Sequence, residues 1–447
     1  MSEKNSKNNI NQNQPSAIMQ EEQSNEYKLA KKKIEEIVAE NKDKYVFKPD
    51  KRIAVIFSGG PAAGANSVIS SLALNFSNAK LPLIGFIKGF EYIEHFSHNQ
   101  SEFLQKGAHY IDLNRDIANI RGEAGVFIKT SRANPGKHIK KIEDLYDNEK
   151  NKMLKNILDA FKFLNIGALI TIGGDDTLKT ANFFHLLGFP VIHVPKTIDN
   201  DYFGIPWTFG YWSAVETSKE IIINLREDAK STDSYYIVEL MGRKAGWVTY
   251  AAGITAQAMN MIANEDFEGQ DVIDIEKIAK DIVNQILARE ADSRFYGVIC
   301  MAEGLVDKLP DKLKPKETDR HGNVIFGNAE ICRIVAEEVK NEYYKRTGRK
   351  KKIIPKQIGY ETRCVRASAY DITLGCMLGF GAFNLFTQNN FGNMVSVEDN
   401  LNYKAIPFSE LIDPVTMLTK LRNVPPESDF FRLKEALSYK AGGIPEI

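Results

Sequence analysis

At 447 residues, 43% of them hydrophobic and 26% charged, the chain has the composition of a globular protein with room for two or three domain-sized cores. Lysine plus arginine equals aspartate plus glutamate at 58 each, so no net positive field draws it to nucleic acid or an acidic membrane; its partners are expected to be small molecules or other subunits. The four cysteines (Cys300, Cys332, Cys364, Cys376) are far apart without a Cys-x-x-Cys pair, which argues against a zinc site or a disulfide scaffold and for reduced, mostly buried thiols.

The chain opens on "MSEKNSKNNINQNQPSAIMQ", a polar stretch without the apolar core of a signal peptide, read as a disordered start in a cytoplasmic protein. Leu29, Ile34, Ile37 and Val38 then fall near helical spacing, which predicts an amphipathic arm over 26–44 that docks on the body or on a partner. From Lys51 onward, short apolar strands alternate with helical segments. "RIAVIF", "PLIGFI", "GALITI", "PVIHVP", "YYIVEL" and "FYGVICM" are the strands. Strands buried on both faces and joined by helices mark a doubly wound, mainly parallel α/β sheet. Ligands of such sheets bind beyond the carboxyl ends of the strands, so the strand-end turns are where chemistry is sought.

The first such turn is "FSGGPAAGAN", Phe57 to Asn66. Its glycines let backbone approach a ligand, and the helix that follows offers unpaired N–H groups to a phosphate. Gly59 and Gly64 have P-loop spacing, but Ala65 and Asn66 stand where that motif needs Lys and Ser/Thr, so a P-loop is rejected. Alone, the stretch reads equally as a plain tight turn. His95 and His98 in "HFSH" have metal-compatible spacing on a helix but no accompanying carboxylates, and are read as surface.

The second turn, Gly173-Gly174-Asp175-Asp176-Thr177, puts carboxylates where a phosphate is expected. That arrangement is repulsive unless a divalent cation intervenes, so Asp175 is read as a direct or water-mediated Mg2+ ligand. Asp176, taken alone, serves as well to cap the next helix. The third turn is "VPKTIDND", Val194 to Asp201. In extended backbone Asp199 and Asp201 would share a face, one accepting a hydroxyl proton while the other sets its position or the metal's. Lys196 adds a cation. An isolated Asp-Asn-Asp would more often be a turn of solvated charges.

Further on, Arg243 in "ELMGRKAGWVT" and Arg363 in "GYETRCVR" follow strand-like runs and could each clamp a phosphate bidentately. Residues 306–323 are charged and proline-bearing, an exposed excursion. "KRTGRKKK" at 345–352 reads as solvated surface. "ITLGCMLGFGAFNLF", from Ile372, is interrupted by three glycines and falls short of a bilayer span, so it is read as a buried helix and no membrane partner is expected.

Taken in order, "GGPAAGAN", "TSRANPGK", "GGDDT", "PKTIDND" and "MGR", followed by "GYETR", resemble the phosphofructokinase family from about Arg52 to beyond Arg363. The Thr-Ile-Asp-Asn-Asp and Met-Gly-Arg blocks carry most of that resemblance. It implies two similar-sized α/β lobes with a cleft between them, in a homodimer or homotetramer. Residues 51–210 plus about 365–410 would form the phosphoryl-donor lobe, about 211–364 plus about 411–447 the sugar-phosphate lobe, and 1–50 an extension. The implied reaction is a glycolytic one, transfer of a phosphoryl group to the 1-hydroxyl of fructose 6-phosphate. By resemblance Asp199 is the base, with Asp201 and Thr197 completing its surroundings, and Asp175 holds Mg2+ on the donor. Gly60 and Arg243 stabilise the transferring phosphoryl, Arg132 meets donor phosphate, and Met241, Gly242, Glu303, Tyr360 and Arg363 line the sugar-phosphate pocket. The family's bacterial ATP enzymes have an arginine shortly before Met-Gly-Arg and a histidine where Tyr360 stands; here the first stretch is "STDSYY", so Lys352 and Lys356 are expected to help hold the 6-phosphate.

ATP-using relatives typically have Gly-Gly-Asp-Gly, whose last glycine leaves room for the nucleotide's α-phosphate. Asp176 fills that space with bulk and charge, whereas pyrophosphate ends before reaching it. With Lys196 available for the leaving phosphate, Asp176 resembles the pyrophosphate-dependent branch, and pyrophosphate is the expected donor. Two rivals are an ATP-dependent phosphofructokinase and a non-catalytic subunit that binds sugar phosphate.

Overall fold

The structure, a computed structural model, describes residues 24–97, 104–315 and 329–439. The expected disordered start, His98 and residues 316–323 of the charged excursion lie outside the described residues. Eleven strands are present among the rest: β1 (Arg52–Phe57), β2 (Leu83–Phe86), β3 (Tyr110–Asp112), β4 (Ile166–Gly173), β5 (Val191–Pro195), β6 (Tyr235–Leu240), β7 (Asn260–Ile262), β8 (Gly297–Ala302), β9 (Ile353–Ile358), β10 (Asn393–Val397) and β11 (Tyr403–Pro407). They form two sheets, one of seven strands in the order β11-β10-β5-β4-β1-β2-β3 and one of four in the order β7-β8-β6-β9. Every pairing is parallel except those of β3 and β11, which close the edges of the large sheet.

The described α-helices are α1 (Asn25–Glu40), α2 (Ala65–Asn78), α3 (Lys152–Phe163), α4 (Asp175–Leu186), α5 (Tyr211–Thr232), α6 (Trp247–Thr255), α7 (Ile275–Ala291), α8 (Ile331–Thr347), α9 (Ala369–Thr387), α10 (Phe408–Leu411) and α11 (Asp429–Leu437), with short 3-10 turns between them. The large sheet is buried on both sides, with Ile53 to Phe57 and Ala168 to Ile172 lost from solvent almost entirely. In the small sheet the two-residue period is explicit. Tyr235, Ile237, Ile299 and Met301 join one core with α7 and α8, while Tyr236, Val238, Cys300 and Ala302 join another with α5 and α6.

Register is what positions the chemistry. Phe57 lies opposite Ile172, and Gly173 opposite Pro195, so the turns after β1, β4 and β5 emerge side by side. Likewise Leu240 pairs with both Ala302 and Ile358, which brings Met241, Glu303 and Gly359 together at the end of the small sheet. Helix α9 lies against α2, its glycines 375 and 379 meeting α2 and the turn before it; half of this long apolar helix is buried.

The amphipathic arm docks on the body: Tyr45 Oη donates to His185 O at 2.8 Å and Asn41 Nδ2 to Leu186 O at 3.0 Å. Ile34, Ile37 and Val38 face the core as expected, but Leu29 is 69% exposed and Tyr27 is buried instead. All four cysteines are free; Cys300 and Cys332 are buried, whereas Cys364 is exposed and Cys376 half-buried. His95 sits on a 3-10 turn (Ile93–His95), not an α-helix, and its ring is exposed.

Candidate active site

Where the three turns of the large sheet meet the end of the small one, a cavity of about 190 Å3 opens. Gly59, at φ +88°, makes the turn after β1 in a backbone region that side chains rarely tolerate. Its N–H donates to Ser131 O at 2.8 Å and its carbonyl accepts from Thr130 Oγ1 at 2.7 Å. Those two bonds fasten the "TSRANP" segment to the turn and bring Arg132 into the lining. Lys196 enters from beneath, its N–H on Gly173 O at 2.9 Å. A side chain at Gly59 would put its Cβ 3.1 Å from Lys196 Nζ, and one at Gly60 would sit 3.5 Å from Arg363 Nη1. The glycines thus leave space for two cations to converge on exposed backbone. Asn66 does structural work, its Nδ2 donating to Glu123 O and its Oδ1 accepting from Phe127 N.

Thr197, Asp199, Arg243 and Arg363 line the same cavity, with Asp176 and Thr177 at the end formed by α4. Asp199 accepts the Arg243 N–H on Oδ2 at 3.5 Å, and its own N–H donates to Thr197 Oγ1 at 3.1 Å. The expectation that Asp199 and Asp201 share a face of extended backbone is not met. Asn200 turns through the left-handed region at φ +54°, fixed by Thr208 N–H on its Oδ1 at 3.0 Å, and Asp201 is buried below the cleft floor.

Water exclusion shapes the electrostatics. Burial lowers the Lys196 ammonium to about 8, helped by Arg363 and Arg132 and opposed by Asp199 and Asp175. Burial pushes the Asp199 carboxyl up against the pull of Arg363 and Arg243. Asp201 rises well above the usual carboxylate range through burial and the Asp199 and Asp175 carboxylates. Glu303, half-buried and near Asp199, is raised to about 7 by desolvation. Such a concentration of displaced titrations in one cleft is the electrostatic mark of a working site.

The two carboxylates of the opening motif have separate surroundings. Gly174, not Asp176, is the N-cap of α4; both aspartates lie in its first turn, where the helix dipole favours anions. Asp176 is half exposed and pairs with Lys179 at 2.7 Å. Asp175 accepts Lys244 Nζ at 3.1 Å, a link from the small sheet's turn to the large sheet's helix. Burial works against the Lys244 ammonium, but Asp175, Asp201 and Asp176 hold its pKa up. Sequence reasoning passed over Lys244, although its place directly after Met-Gly-Arg was the available signal.

On the other side, Met241 is buried with Thr362 Oγ1 on its sulfur at 3.9 Å, and the Gly242 N–H faces Glu303 Oε1 at 3.5 Å. Gly304 passes so close to Arg243 O that any side chain there would collide with it. Tyr360 is not brought into the cavity: its ring is 67% exposed and the Arg363 guanidinium lies over it at 4.8 Å. Lys352 precedes β9 and so stands at the end of the small sheet opposite the cleft, while Lys356 is exposed along the edge strand. Neither joins the site. Among the described residues no group of three or more His, Cys, Asp or Glu is arranged to hold a metal by itself.

A family model described as Phosphofructokinase matches residues 52–386. A pyrophosphate–fructose 6-phosphate 1-phosphotransferase of Thermotoga maritima is 32% identical over 397 residues, covering 86% of this chain and 89% of the relative. An ATP-dependent 6-phosphofructokinase of Corynebacterium efficiens is 29% identical over 363 residues, covering 81% and 93%. The crystal structure of a pyrophosphate-dependent phosphofructokinase from Nitrosospira multiformis superposes with a TM-score of 0.60 at 17% identity, covering 90% of this chain and 94% of that one, a likeness of fold.

Proposed function

Because the chain belongs to the phosphofructokinase family and is a phosphotransferase, we propose that it moves the phosphoryl group of pyrophosphate to the 1-hydroxyl of fructose 6-phosphate. The products are fructose 1,6-bisphosphate and phosphate. Asp199 accepts the hydroxyl proton as the new O–P bond forms and the bridging oxygen of pyrophosphate leaves with its electron pair. Thr197 and Asp201 set the position of that base. Phosphoryl transfer asks of a protein mainly alignment and charge stabilisation. The Gly60 N–H and the Arg243 guanidinium serve the moving group, Arg132 and Lys196 the donor, and Met241, Gly242, Glu303 and Arg363 the sugar phosphate. Tyr360 serves that pocket through Arg363, which it stacks against.

Mg2+ suits this donor set. It is commonly bound through one or two carboxylates plus substrate phosphates, and Asp175 already attracts a cation, the Lys244 ammonium at 3.1 Å. Asp175 would hold the ion, which supplies neutralisation of the donor's oxygens when bound. A homodimer or homotetramer goes with this reading.

The observation that supports the choice of donor is Asp176, which lines the cavity and on this reading leaves no room for a nucleotide to continue beyond the donor phosphates. The test is formation of fructose 1,6-bisphosphate from fructose 6-phosphate and Mg2+ with pyrophosphate or with ATP. Turnover with pyrophosphate alone is expected. Turnover with ATP alone would overturn the donor assignment, and turnover surviving Asp199→Ser would overturn the assignment of the base.

A further inference from the structure

We infer that Arg422 is a positioning residue that locks the loop bearing Asp199 and Asp201 to the turn bearing Arg243, an inference that rests on the phosphoryl-transfer reading of that cleft. No motif marks this arginine, which lies about 220 residues from the loop it holds. It belongs to a strap that crosses between the sheets: Leu421 pairs with Tyr202 as an antiparallel bridge, and the Arg422 N–H donates to Asp201 O at 2.8 Å. Arg422 Nη1 donates to Ile205 O at 2.6 Å and Pro206 O at 2.5 Å. The base-bearing loop is therefore held at its middle by backbone and at its far end by a charge-assisted pair of bonds.

The same few residues grip the opposite turn. Trp247, four positions after Arg243, lies with its ring 4.4 Å from the Arg422 guanidinium and donates Nε1 to Arg422 O at 3.0 Å. Val424 N donates to Glu265 Oε1 at 3.0 Å, and that carboxylate also accepts the Gly246 N–H at 2.9 Å. Asp199 and Arg243 rise from different sheets, and the Arg243 N–H meets Asp199 Oδ2 at 3.5 Å. Their separation is set by whatever holds the two turns in common, and the strap holds both. Arg422 Nε is buried without a protein partner, so the guanidinium is placed for the carbonyls and the ring and not for its own full satisfaction. Lysine could supply one ammonium to the carbonyls; alanine supplies nothing.

The test compares Arg422→Ala, Arg422→Gln and Arg422→Lys in the full chain, with kcat and KM for both substrates, methylguanidine rescue, and tryptophan fluorescence. Displacing a reacting group by about 1 Å costs on the order of a hundredfold in rate. Arg422→Ala is expected to lose roughly ten- to a hundredfold in kcat with both KM values within about threefold, to shift Trp247 emission, and to regain kcat saturably with methylguanidine. Arg422→Lys is expected to keep most of the rate. Unchanged kcat, or a loss that neither Lys nor methylguanidine relieves and that follows the fraction unfolded, would overturn the inference. Should Arg422→Ala not fold, Arg422→Gln against Arg422→Lys decides by the same kcat criterion. Asp199→Ser separates the two layers: if it is inactive while Arg422→Ala is normal, only the strap inference fails; if it is active, the reading of the cleft fails.

Discussion

On the proposed reading Asp176 would exclude a nucleotide by one of two means, and its neighbour decides which. The carboxylate is paired with Lys179 at 2.7 Å and shares the cavity with the Arg132 and Lys196 cations, so its charge is largely offset. A phosphate there would meet little net repulsion, and what remains is the volume of the side chain. Asp176→Asn, which keeps the volume and removes the charge, is therefore expected to change ATP use by less than about threefold, and Asp176→Gly to raise kcat/KM for ATP by about tenfold or more, roughly 1.4 kcal/mol or more of transition-state binding. The measurement is kcat/KM for ATP and pyrophosphate in both variants. An Asn variant that gains as much as the Gly variant would show that charge, not bulk, closes the site.

At the scale of elements, the glycine turn after β1 depends on a helix far along the chain. A side chain at Gly375 of α9 would bring its Cβ to 2.9 Å from Ser67 Cβ and 3.0 Å from Gly64 O, the last residue of that turn; one at Gly379 would meet Ser71 Cβ at 2.7 Å and Val68 O at 2.8 Å. Alanine gains about 1 kcal/mol over glycine in a helix interior, but overpacking against backbone costs typically 1–3 kcal/mol or more, so both Gly375→Ala and Gly379→Ala are expected to lower the urea midpoint. Only Gly375→Ala displaces Gly64, so only it should also lower kcat. Equal kcat in the two variants would separate α9 from the turn. These long-range dependences were the part of the molecule that the sequence did not disclose. The strand-end motifs were legible because strand, turn and ligand-facing residue are contiguous, as in β1 and Gly59 or β4 and Asp175. The three-residue strands β3 and β7, and β9 with its proline and lysine, carry too little apolar pattern to be read as firmly as β1 or β4. Lys244 and Arg422 act across distances that only register and packing define, whereas Lys179 reaches Asp176 within one turn of α4, and the outward turn of Tyr360 follows from the 3-10 turn it opens.

Across the whole molecule, buried bases and buried acids oppose one another in how stability follows pH. His193 lies between Thr171 Oγ1 at 2.8 Å and Tyr202 Oη at 2.9 Å with no solvent contact, and burial lowers it to about 3; burial lowers His185 to about 4. The unfolded chain protonates these rings near 6.5 and the folded chain does not, so below that pH each removes about 1.4 kcal/mol of stability per pH unit. Glu94 and Glu303 behave in the opposite sense: burial raises both to about 7, so the folded chain takes up their protons first and is favoured as pH falls from 7 toward 4.5. Between about 6.5 and 4.5 the two pairs cancel. Asp199, Asp201, Glu239, Glu265, Asp307 and Asp371 are raised in the same sense as Glu94 and Glu303, so each of them also favours the folded chain as pH falls toward its ordinary value. Comparing chains that differ in one acid isolates its share: Glu303→Gln should be more stable than the natural chain at pH 8 by on the order of 2–3 kcal/mol, because Glu303 is charged there at the expense of its burial, and that advantage should shrink by about 1.4 kcal/mol per unit as pH falls from 7 toward 4.5. Urea midpoints of both chains from pH 4 to 8 check this, and parallel curves would show that Glu303 carries no such charge cost. The stability lost at neutral pH is then located in a cleft residue, where a carboxylate kept from water is retained for its place beside Asp199 and Arg363.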